Sequence, residues 1–174
     1  VKSVKLQHFF LLIAMVSLTN GPTLAQRIPQ PASEANYPVW TALSQRLEAD
    51  PLNPVLNKDA EMAVQELSAS SDFHTPLCTS FFSFFNKLTT TAYPYQAQIY
   101  RLYILGSATY HIQTGKTDPY GTNLYAFTSV LKGYSTILSR DPVSRDKVMD
   151  SLLVTDLKGK LPDLLKKDST CREQ

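Results

Sequence analysis

A few places in this 174-residue chain hold side chains of the types that do chemistry. Gly115-Lys116-Thr117 has the ending of a phosphate-binding loop. Such a loop also needs a glycine at position 110, so that backbone N–H groups can close around phosphate, and a strand leading into it. Tyr110 stands there, in a stretch that reads as helix, which excludes nucleotide binding and makes Gly115 a helix stop. His74 lies close to Asp72, but a catalytic histidine needs an orienting carboxylate and a nucleophile within hydrogen-bond reach. In a polar loop that pairing is accidental, and His74 reads as a residue that helps to start a helix. His111 sits near the end of a helix, where a cation suits the helix dipole. Two histidines without an acid cluster make a poor metal site. The zinc pattern H-E-x-x-H, the G-x-S-x-G elbow and a C-x-x-C pair are absent. Glu61 and Glu66 do not share a helical face, so no paired carboxylates stand ready for acid–base work. The expectation is a chain without catalytic residues, cofactor or metal.

Aromatic residues are the unusual supply. Phe81, Phe82, Phe84 and Phe85 crowd one segment, with Phe82 partly off its main face. Tyr100, Tyr103 and Tyr110 recur at helical spacing, and Tyr120, Tyr125, Phe127 and Tyr134 follow. The phenylalanines read as core. The tyrosines fit either core packing with phenolic tips at the rim or a recognition surface, since tyrosine is enriched where proteins meet.

The elements that must position these residues begin after an export signal. Lys2 and Lys5 precede the apolar run Phe9–Leu18, and Thr23-Leu24-Ala25 offers a small-x-small site with cleavage before Gln26. The run is too short to span a bilayer stably; an uncleaved anchor or a buried helix is the alternative. Lys2 and Lys5 account for the whole excess of 17 cations over 15 anions, so the remaining chain is neutral. It gives no electrostatic reason to expect nucleic acid or an anionic membrane as partner. Lys158/Lys160 and Lys166/Lys167 read as solvated helix faces. In an oxidising compartment Cys78 and Cys171 are expected to form a disulfide, the alternative being two free thiols.

Residues 26–36, with Pro29 and Pro31, read as a flexible leader. From residue 37 to 174 the pattern is helical and punctuated by prolines, which suit a first helical turn because their missing N–H has no partner there. Helices are expected over Pro38–Ala49, with Val39, Trp40, Leu43 and Leu47 inward, and Pro54–Leu67, with Val55, Met62, Ala63 and Leu67 inward. Thr75-Pro76 opens a third helix, with Thr75 as cap, that ends at Thr89–Thr91. Tyr93-Pro94 opens a fourth reaching Gln113, and a fifth runs from Tyr120 to Leu138. Asp141-Pro142 caps a sixth reaching Val154, and Leu161-Pro162 begins a seventh ending near Lys167. No alternating strand pattern or βαβ unit appears. The fold class is all-α: a single-domain bundle of six or seven antiparallel helices with short turns.

One order of motifs carries a resemblance. Tyr103-Ile104-Leu105-Gly106-Ser107-Ala108 is followed by Val130-Leu131-Lys132-Gly133-Tyr134, Pro142, Leu152-Leu153 and Leu161-Pro162, between Cys78 and Cys171. This resembles the Rap/Tai type of small periplasmic immunity protein. The family usually has a cysteine just before the Y-I-x-G segment, where Arg101 and Leu102 stand here, and a final cysteine directly after the last proline. The resemblance implies a bacterial periplasmic helical dimer that plugs the active site of a cell-wall amidase.

The sequence thus leads to an exported, non-enzymatic helical domain that binds another macromolecule, a protein of the cell envelope, with Tyr103, Tyr110, Tyr120 and Tyr125 as contacts. The alternative is a carrier of a small apolar ligand in an interhelical pocket lined by Phe81, Phe85, Leu102 and Phe127.

Overall fold

The computed structural model describes residues 34–172. The expected export signal and all but the end of the leader lie outside the described residues, as does the side chain of Phe82. Glu34–Asn36, at the end of that leader, form a single 3-10 turn. Among the described residues the domain is all-α, with seven helices and no strand: α1 Tyr37–Ala49, α2 Pro54–Ala69, α3 Thr79–Thr90, α4 Gln96–Thr114, α5 Pro119–Arg140, α6 Lys147–Leu157 and α7 Leu161–Lys167. None of them is long and apolar enough to cross a membrane.

Local chemistry explains four of the starts. Proline occupies the first turn of α1, α2, α5 and α7. Asn53 caps α2, its Oδ1 accepting from Val55 N at 3.0 Å and Leu56 N at 3.3 Å. Asp118 caps α5 by accepting from Gly121 N at 2.6 Å. The αL backbone of Gly115, at φ 67°, ends α4 as its sequence position predicts.

The other three starts shift, and only that of α3 is capped by distant side chains. α3 begins at Thr79 rather than at Thr75-Pro76, and His74 stands exposed in the loop before it. Its first N–H groups are taken across the chain: Thr79 N donates to Thr170 Oγ1 at 2.7 Å and Ser80 N to Asp168 Oδ2 at 2.7 Å. α4 begins at Gln96, after a turn in which Gln96 N donates to Tyr93 O. Pro142 and Val143 belong to a turn closed by Ser144 on Asp141 O, and α6 waits for Asp146, which accepts from Val148 N and Met149 N.

Helix α4 is the centre of the bundle. Leu102, Tyr103 and every residue from Leu105 to Thr109 are buried, because α1, α2 and α5 all pack on it. A helix enclosed on all sides loses its polar stripe. Gly106 marks the tightest crossing: a Cβ there would come within 2.9 Å of Ser129 Cβ and 3.1 Å of Ala126 Cα. α1 and α2 turn Trp40, Leu43, Leu47 and Leu56, Ala60, Ala63, Val64, Leu67 inward. Val39 and Val55, expected to join them, are instead about two-thirds exposed, since each sits in a first turn ahead of the buried stripe. Burying a side chain such as Leu47 fully contributes roughly 1.5–3 kcal/mol.

Cys78 and Cys171 are joined in a disulfide with Cα atoms 5.1 Å apart, so the C-terminal segment is tied to the start of α3.

Candidate functional site

The tyrosines expected on a contact surface divide three ways. Tyr103 is fully buried, which corrects its assignment as a surface contact. It lies on the enclosed stretch of α4, its ring stacks on Phe81 with centroids 3.9 Å apart, and its hydroxyl donates to Asn123 Oδ1. Burial pushes the Tyr103 phenol well above its usual range, so it stays a proton-bearing donor. Tyr100, expected on the same face, is by contrast exposed beside Phe85. Tyr110 and Tyr125 are half-buried neighbours, 6.3 Å apart, on either side of a cleft of about 220 Å3 between α4 and α5. The Tyr110 hydroxyl donates to Asp118 Oδ2 at 2.5 Å, which ties it to the α5 cap. Tyr120 lies apart from them, with the Lys166 ammonium 5.5 Å from its ring centre.

The four residues expected to line an apolar pocket come together, but against one another. Phe81, Leu102 and Phe127 are buried, and Phe85 stacks on Phe81 at 5.5 Å. Phe127 meets Phe84 edge-on at 5.5 Å and Tyr103 at 5.6 Å. Leu102 fills the space over Gly133, its Cδ1 lying 2.3 Å from where a Cβ would be. These side chains occupy the volume a carrier would leave for its cargo.

A groove of about 820 Å3 lies between the start of α3, α6 and the end of α7. Its floor is apolar: Phe84, Val148, Leu152 and Leu164. Thr79, Ser80, Ser83, Ser151 and Ser169 line it too, together with the exposed Lys87, Lys147 and Lys167. Among the described residues no carboxylate pairs with any of those three lysines. The one acid in the groove, Asp168, is already engaged. It accepts from Ser80 N and Ser80 Oγ, from Thr170 N at 2.9 Å and from Thr170 Oγ1 at 2.6 Å. Partial desolvation pushes the Asp168 carboxyl up; the Ser80 and Thr170 hydrogen bonds outweigh it and hold the group well below the usual carboxylate range.

Comparison with family models, with curated proteins and with solved structures returns no match.

The groove's chemistry is therefore read from its residues alone. A general acid or base works best with a pKa near the ambient pH. Asp168 is far too acidic for that and is a poor base for the Ser80 hydroxyl it holds. His111 contacts the Lys116 carbonyl at 3.2 Å and the edge of Phe73, away from the groove. No group of three or more histidine, cysteine or acidic residues stands ready for a metal among the described residues. What the groove can do is accept apolar side chains on its floor and anionic groups at its rim.

Other apolar residues of α6 and α7 are exposed as well. α6 buries only Met149, and Val154, Leu157 and Leu164 are 48%, 77% and 41% exposed. Sequence reasoning missed this site. Lys87, Lys147 and Lys167 share no pattern along the chain, and only the packing of α3, α6 and α7 brings them together.

Proposed function

We propose that this chain is an exported, non-enzymatic helical domain that acts by binding another protein of the cell envelope, through the face formed by α3, α6 and α7. The observation that carries the reading is the open groove between α3, α6 and α7, lined by Phe84, Val148, Leu152 and the exposed Leu164, on helices that also leave Val154 and Leu157 exposed. Exposed apolar surface around a groove marks a place that a partner covers. The disulfide supports export, because such bonds persist in oxidising compartments. The short apolar run after Lys5 supports it too. An immunity-type inhibitor of an envelope enzyme is one concrete form of this binder, supported by the motif order from Tyr103 to Leu161.

Co-isolation from envelope extract tests the reading. Leu157→Asp/Leu164→Asp places charges on exposed positions that carry little folding energy, so helicity is expected to survive while the partner is lost. Val55→Asp, equally exposed but on α2, which packs chiefly on α1 and α4, is the control and keeps the partner. Equal recovery with both variants overturns the proposal.

A further inference from the structure

The groove also selects the kind of segment that it binds, an inference that rests on the binding role proposed above. Three exposed lysines share the groove's lining with Phe84, Val148, Leu152 and Leu164, and none has an anionic partner among the described residues. The N-terminus of α3, which would otherwise draw an anion, is taken by Asp168 and Thr170. The free positive potential therefore lies at the side chains of Lys87, Lys147 and Lys167, spaced around the rim, and not at the helix end. What sets this groove apart is that three cations line one concavity whose single acid is already engaged. The groove between α1 and α2 mixes Arg46 with Asp59 and Glu66 and selects no sign. Arg101, Lys132, Arg140 and Arg145 are each paired with a carboxylate.

We infer that the α3–α6–α7 groove binds an acidic, amphipathic segment of the partner protein. Carboxylates of that segment meet the three lysines, and its apolar side chains lie on Phe84, Leu152 and Leu164. Complementary charge at a rim chiefly sets partner choice and association rate, while the apolar floor supplies the contact area. At about 820 Å3 and open to solvent, the groove suits a segment laid on it better than a small molecule enclosed within it.

The test uses the oxidised chain as isolated from the envelope and fluorescence anisotropy with defined probes. One probe is a helical peptide of about 14 residues, or four turns, with glutamates on one face and leucines on the other. Its counterpart carries lysines in place of the glutamates. A third arm offers vesicles containing phosphatidylglycerol. The glutamate peptide is expected to bind about tenfold or more tighter than the lysine peptide, with the preference fading as salt rises. In the variant Lys87→Glu/Lys147→Glu/Lys167→Glu, checked for unchanged helicity, the order of the two peptides inverts. Equal binding of both peptides by the original chain, an unchanged preference in the triple variant, or capture by vesicles in place of peptide overturns the inference. If the peptides fail while the Leu157/Leu164 variant still loses its partner, only the charge selection falls. If that variant keeps its partner, the binding role falls with it.

Discussion

Asp168 shows how one carboxylate can hold two elements together. It comes from the end of α7 and caps α3, so its removal is felt on both sides. Asp168→Ala is expected to lower stability by about 1 kcal/mol, within the range for lost helix caps, read as a shifted urea midpoint with an unchanged slope. The folded-state pKa of Asp168 lies below its unfolded value. Its contribution is therefore complete above about pH 4, the unfolded pKa of an aspartate, and is lost as the pH falls further toward the folded pKa. The gap between the original chain and Asp168→Ala should narrow below that pH; a gap that stays constant to pH 3 would contradict this role. Tyr103 makes the complementary case. Tyr103→Phe keeps the ring and leaves Asn123 Oδ1 without its donor, at an expected cost of about 1–3 kcal/mol. A stability unchanged by that substitution would contradict a stabilising role for the Tyr103–Asn123 hydrogen bond.

At the scale of elements, α3 depends on the tail more than on its own sequence. Its amides bond to Asp168 and Thr170, and its preceding residue is bridged to Cys171. Cys78→Ser/Cys171→Ser is expected to cost about 2–5 kcal/mol in thermal or urea unfolding. It should also speed hydrogen exchange at Thr79 and Ser80 well before α4 and α5 loosen; uniform exchange across the chain would show that the tail does not hold this cap. The same dependence explains what could be read in advance. Pro38, Pro54, Pro119 and Pro162 signal their helices correctly because a first-turn proline acts locally. Pro76 and Pro142 mislead because the caps of α3 and α6 are set by folding. The α3 cap comes from Asp168, and Asp146 is fixed in part by Tyr134, whose hydroxyl accepts from Asp146 N at 3.0 Å. Tyr134 also donates to Asp150 Oδ1 at 2.8 Å, and desolvation pushes its phenol up to about 12.

For the whole molecule, the all-α class was legible because helical spacing and first-turn prolines persist from residue 37 onward. The cysteine pairing was legible from the even count. The proposed binding face was not. Phe81 and Phe127 went to the core as expected, but the tyrosine supply drew attention to α4 and α5, where Tyr103 is enclosed by the neighbouring helices. Lys167, which reads in isolation as part of a solvated face, lies at the groove rim with Lys87 and Lys147. A site assembled from α3, α6 and α7 leaves no local mark, because none of its residues depends on a sequence neighbour. Its direct test is a photoreactive side chain placed at Ser151, inside the groove, and separately at Lys58 on α2. Irradiation in the intact envelope should yield one discrete adduct with a second protein from position 151 and none from position 58. No adduct at 151, or the same adducts from both positions, would contradict the account.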